Sequence, residues 1–90
     1  MYFLYILFSK KDNNLYIGQT NNLEKRLKEH KLGSVKSTKN RRPLVLIKKE
    51  VFNSRSSAIK RERFLKSLYG YKEKTKILKE FLSNGSSKIR

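Results

Sequence analysis

The run Tyr2-Phe3-Leu4-Tyr5-Ile6-Leu7-Phe8 constrains this chain more than any other stretch. Seven consecutive aromatic and apolar side chains without Gly or Pro suit a strand covered on both faces, because alternate residues point to opposite sides of a sheet. The run is too short to span a bilayer, and Lys10 and Lys11 follow it instead of preceding it as in a signal peptide. It is therefore expected to be a central strand, with partners on both edges and layers above and below.

Lys11-Asp12-Asn13-Asn14 is turn chemistry, and Leu15-Tyr16-Ile17-Gly18 resumes strand propensity, so the two runs read as an antiparallel hairpin. Register depends on the loop. A four-residue loop at 10–13 pairs 9 with 14, 7 with 16 and 5 with 18, which places Tyr5 and Tyr16 on one face; other loop lengths split them. Asn21 is a candidate helix cap with Glu24 three residues on, and Gly33 a natural stop, giving a helix at about 22–32. Its stripe is Leu23, Arg26, Leu27 and His30. Pro43 opens a third apolar run, Leu44-Val45-Leu46-Ile47, followed by the more polar Lys48 to Phe52. Asn53-Ser54 caps a second helix from 55 to Leu68, with stripe Ala58, Ile59, Glu62 and Leu65. A third helix runs from about Lys72 to Leu82, stopped by Asn84-Gly85. The order β-β-α-β-α-α implies one α+β domain over residues 1–83, a small, mainly antiparallel sheet with helices packed against it, and a loose tail at 84–90.

Charge decides the expected partner. Lys and Arg number 23 against 7 Asp and Glu, a net charge of +16 that repels itself in a 90-residue fold unless a polyanion binds. Residues 1–30 are net +2 and residues 31–90 net +14, so the later two-thirds carries the electrostatic footprint. Candidate contacts to nucleic acid are Lys36, Lys39, Arg41 and Arg42 in the basic loop and Lys60 and Arg61 on the second helix. A membrane partner is not expected. The absence of cysteine excludes disulfides and thiolate metal sites, and the single histidine excludes a His cluster within one chain. A cytoplasmic protein is expected.

Two helices place charged or titratable groups where apolar ones belong: Arg26 and His30 on the first, Glu62 on the second. An ordinary ion pair between Glu62 and Arg26 would account for two of them, and strand tyrosines are commonly packing residues. Their combination in a strongly basic chain points instead to phosphodiester cleavage. A carboxylate can hold a divalent ion, an arginine can stabilise developing charge, and a tyrosine or histidine can relay a proton.

The chain resembles the GIY-YIG nuclease domain, in particular the small stand-alone, UvrC-like members. Tyr16-Ile17-Gly18 stands as the second half of the signature, followed by Thr20, Asn22-Leu23, Arg26-Leu27 and His30; Phe3-Leu4-Tyr5 stands for the first half, without its glycine. The loop from Lys36-Ser37-Thr38 to Arg42-Pro43 and the segment Ser57-Ala58-Ile59-Lys60-Arg61-Glu62 are also similar. The likeness covers residues 2 to 68.

This resemblance implies a metal-dependent endonuclease acting on DNA, or RNA, structure-selective or weakly sequence-specific, in repair or recombination. Glu62 would be the single metal ligand, for one Mg²⁺ or Mn²⁺, and Arg26 the transition-state stabiliser. Tyr16 or Tyr5 would activate water, the other tyrosine would orient it or the phosphate, and His30 would assist. A phenol with its ordinary pKa of about 10 needs help to act as a base at neutral pH. The family's late asparagine has no clear counterpart, and Asn84 is left outside the site. A partner protein or a homodimer would supply specificity that one domain lacks. The rival expectation is a basic nucleic-acid-binding module that keeps the fold without turnover.

Overall fold

The apolar run becomes the middle strand of a three-stranded sheet. In the computed structural model, which describes residues 1–89 with side chains for residues 1–83, β1 (Tyr2–Ser9) lies between β2 (Leu15–Thr20) and β3 (Leu44–Phe52), antiparallel to both. α1 (Leu23–Leu32) separates the hairpin from β3, and α2 (Arg55–Lys66) and α3 (Tyr71–Ile89) complete the order β-β-α-β-α-α.

The hairpin takes the four-residue loop. Ser9 donates its backbone N–H to the Asn14 carbonyl at 2.9 Å, and Tyr5 pairs with Gly18 and Leu7 with Tyr16. Asn13 adopts a left-handed φ of 61°, which asparagine tolerates, and the Asp12 carboxylate accepts from the Asn14 N–H at 2.9 Å. The two tyrosines consequently share a face. On the other edge, Ile6 pairs with Lys48 but Leu7 with Leu46, so Ile47 is the extra residue of a bulge.

Both faces of β1 are covered. Leu4 and Ile6 form a core with Ile17 and Leu65 of α2, against which Leu15, Ile47, Phe52 and Ile77 of α3 pack, while the Phe8 ring lies 4.9 Å from that of Phe81. Tyr5 points the other way, to α1.

The helix ends explain their own positions. The Thr20 hydroxyl accepts from the Asn22 N–H at 3.1 Å, turning the chain so that Asn22, not the expected Asn21, caps α1 by accepting from the Lys25 N–H. Gly33, at φ 80°, ends the helix in the left-handed conformation, with N–H groups of Gly33 and Ser34 returning to the His30 and Glu29 carbonyls. Ser54 caps α2, which stops at Lys66, two residues earlier than expected, because Ser67 adopts an extended conformation and donates its hydroxyl to the Phe64 carbonyl at 2.7 Å. A 3₁₀ turn at Leu68–Gly70 then folds back against α2, so closely that a Cβ on Gly70 would stand 2.2 Å from the Phe64 carbonyl oxygen. α3 continues past Asn84-Gly85, where the sequence signals a stop. The expected loose tail at 84–90 falls on residues whose side chains, and for Arg90 also the backbone, lie outside the described residues. No helix among the described residues is long and apolar enough to cross a membrane.

Candidate nuclease-type site

Tyr5 sits at the centre of the candidate site because β1 is central and its register sets Gly18 opposite. Its ring is 1% exposed, and its hydroxyl lies 2.8 Å from His30 Nε2. A Cβ at Gly18 would come within 2.6 Å of the Tyr5 oxygen, so the missing side chain is what lets the phenol lie there. The Tyr16 ring lies 6.3 Å from that of Tyr5 and 5.2 Å from that of His30. His30, in the last turn of α1, is also buried, and its Nδ1 is 2.7 Å from the Thr38 hydroxyl.

Arg26 stands one turn before His30 on the same helical face. Its guanidinium is partly exposed and donates to Glu29 at 3.0 Å. Burial pushes the Tyr5 phenol up to about 12; the neighbouring Arg26 guanidinium opposes this, and the charges of Tyr16 and Glu62 add to it. His30 is held below its ordinary value, first by burial and then by the Arg26 charge, so the ring is neutral at pH 7.

Glu62 enters from α2. Its carboxylate accepts from Lys66 Nζ at 2.8 Å, and Lys66 Nζ lies 6.0 Å from the centre of the Tyr16 ring. The ion pair between Glu62 and Arg26 that would make both merely structural is not formed; each carries a partner from its own helix. Among the described residues no group of three or more His, Cys, Asp or Glu gathers as a metal cage. A polar hollow of about 360 Å³ opens beside Arg26, with Lys25 and Arg55 on its walls.

The structure thus brings Tyr5, Tyr16, Arg26, His30 and Glu62 to one place. The six basic candidates divide. Lys36, Lys39 and Lys60 are exposed. Arg41 is bound to Asp12, its Nε 2.5 Å from the carboxylate, and holds that group down at about 2. Arg42 donates to the Lys39 carbonyl at 2.9 Å and the Lys31 carbonyl at 3.3 Å, clasping the end of α1. Arg61 is fully engaged as a strut, donating to Glu50 of β3 and Glu73 of α3. Two contributors escaped the reading of the sequence. Lys66 was legible as the i+4 neighbour of Glu62. Thr38 had no local signal for its role, since its partner His30 is set by the fold of the intervening loop.

The profile of the GIY-YIG catalytic domain matches residues 1–76. A UPF0213 protein of Staphylococcus haemolyticus is 41% identical over 80 residues, covering 88% of this chain and 95% of that protein. A UPF0213 protein of Clostridium perfringens is 45% identical over 69 residues, covering 76% and 73%. The solution NMR structure of a UPF0213 protein from Bacillus halodurans superposes with a TM-score of 0.54 at 32% identity, over 86% of this chain and 83% of that one. Domain profile, relatives and superposition agree, and the chain belongs to the GIY-YIG family, among its small UPF0213 members.

Proposed function

We propose that this chain binds nucleic acid through the basic surface around the hollow beside Arg26, on whose walls Lys25 and Arg55 also stand, on a scaffold that keeps the side chains for phosphodiester hydrolysis. Binding is carried by one observation, the net charge of +16. Neutralising several phosphates releases their counterions, so such a surface binds a polyanion without further equipment. A basic module that does not turn over needs nothing more, and the findings support that reading first.

Metal-dependent endonuclease activity on DNA, or RNA, is the second reading. What favours it is the convergence of Tyr5, Tyr16, Arg26, His30 and Glu62 from four separate elements. Buried Tyr5 keeps its proton at neutral pH and serves to orient a phosphate oxygen, with Arg26 beside it to stabilise developing charge. Activation of water then falls to Tyr16, whose ring is less buried and has the Lys66 ammonium nearby. One carboxylate fits Mg²⁺ or Mn²⁺, since Mg²⁺ commonly keeps several waters and takes substrate phosphates as further ligands. Held at Glu62 in competition with Lys66, such an ion would polarise a phosphate oxygen. Selection of a site in repair or recombination would rest on substrate shape, a partner protein or a second copy.

The test is a labelled panel of single strand, duplex, flap, junction and RNA, incubated with Mg²⁺ or Mn²⁺, with and without chelator. Binding should weaken steeply with salt on every substrate, and failure to bind any of them overturns both readings. If the protein is a nuclease, chelator-sensitive cutting appears and Glu62→Ala abolishes it while leaving binding intact. Cutting that persists in Glu62→Ala ends the one-metal reading, and binding without cutting across the panel leaves the module.

A further inference from the structure

Residues 64–71 carry the densest exposed apolar surface among the described residues. Phe64, Leu68, Tyr69 and Tyr71 are all exposed, Leu68 to 92%, Tyr69 to 88% and Tyr71 to 62%. Single exposed apolar side chains are ordinary on a protein surface, but a contiguous patch marks a place where something docks. These side chains do not stand on a loose tip. The Gly70 N–H donates to the Ser67 carbonyl at 3.2 Å, and the Ser67 hydroxyl donates to the Phe64 carbonyl at 2.7 Å. Buried Gly70 is pressed onto the backbone of α2, where a Cβ has no room. With Gly70 turned inward, its neighbours Leu68, Tyr69 and Tyr71 face solvent.

Charge says what the patch accepts. Residues 63–72 carry Arg63, Lys66 and Lys72 and no carboxylate. The acidic groups on either side, Glu62 and Glu73, are each engaged, with Lys66 and Arg61. Beyond Tyr71, a hollow of about 340 Å³ on α3 is lined by Lys72, Lys76 and Lys79, which span about 10 Å of helix, with Glu80 also on its wall. Exposed aromatic rings among cations match a polyanion that offers flat faces, and an unpaired nucleic-acid strand is one: its bases stack on rings while its phosphates meet cations. In a duplex the base faces are stacked on one another and closed to a side chain.

The patch also continues the candidate site. Lys66, whose Nζ pairs with Glu62 and lies 6.0 Å from the centre of the Tyr16 ring, precedes Tyr69 by three residues, at most about 11 Å of chain. A strand seated at Tyr16 and Glu62 is within reach of Tyr69.

We propose that Tyr69 is a stacking platform for an unpaired base, with Tyr71 and the lysines of α3 continuing the track, so that the preferred ligand is a single strand or a nucleic acid with an unpaired segment. This rests on the nucleic-acid reading above and adds to it the class of substrate.

Affinities for a short oligothymidylate strand and for a blunt duplex, measured across a range of salt, test the platform. Tyr69→Ala alters one exposed side chain and should bind the single strand about tenfold more weakly, with duplex binding changed by about twofold or less. The loss should be the same at every salt concentration, because stacking releases no counterions, whereas loss of a phosphate contact lowers the salt slope by about one. Tyr69→Phe keeps the ring and should keep the affinity. The chain has no tryptophan, so Tyr69→Trp supplies a single reporter, whose fluorescence should be quenched by saturating oligothymidylate. Full affinity in Tyr69→Ala, an equal loss on the duplex, or an unquenched reporter in the saturated complex overturns the proposal and leaves the nucleic-acid reading standing. A reporter that responds to phosphatidylserine vesicles and not to the oligonucleotide gives the patch to a membrane surface and overturns it as well. Failure of the unaltered protein to bind either nucleic acid overturns the underlying reading, and the platform with it.

Discussion

Gly18 lies directly across the sheet from Tyr5, and a Cβ at that position would stand 2.6 Å from the phenolic oxygen. The signature glycine, which lies inside β2, is thus a packing requirement of the site. The threatened atoms are the far end of a side chain, but this ring is 1% exposed and held by His30, so it cannot simply swing aside.

Gly18→Ala should therefore cost about 1–3 kcal/mol through overpacking, visible as a lower Tm. It should also disturb the ring resonances of His30. A thermally unchanged variant with an undisturbed histidine would show that Tyr5 has room to move.

Arg26 acts on two neighbours, and its removal should be read at both. The guanidinium charge is the second cause, after burial, that holds the His30 pKa down, so Arg26→Ala should raise the His30 titration midpoint measured by NMR; the released Glu29 pulls the same way. If the protein cleaves, the same variant should lose more turnover than affinity. A midpoint that stays put would mean the two side chains do not interact across the helix turn.

Arg61 joins the sheet to α3 through Glu50 and Glu73, and it holds both carboxyls below their ordinary range. Groups whose folded pKa is depressed contribute stability above their unfolded value, about 4.5, and lose it as pH falls toward the depressed folded values. Tm should thus decline as pH is lowered below about 4.5. Arg61→Ala should lower Tm at pH 7 and narrow its deficit in acid. Because the guanidinium is already occupied, the same change should leave the salt slope of nucleic-acid binding nearly unaltered, whereas a phosphate contact would reduce it by about one.

Much of the fold was legible because strands and helices declare themselves through local periodicity. The apolar run at Tyr2–Phe8, the turn residues at 11–14, and the stop at Gly33 belong to short stretches and act within them. The smaller misreadings are local competitions: the Thr20 hydroxyl moved the helix cap from Asn21 to Asn22, and Ser67 ended α2 early. In α3 the helical backbone runs on past Asn84-Gly85.

By itself the sequence determined which elements form and which residue types could do chemistry, because backbone propensity and side-chain chemistry are carried by each residue and its near neighbours. Only the tertiary structure decided which of them meet. It chose the hairpin register that puts Tyr5 and Tyr16 on one face, set Thr38 behind His30, and gave Arg61 to Glu50 and Glu73 in place of an external phosphate. Each of these pairings joins residues eight or more positions apart, and such contacts are settled by packing the whole core.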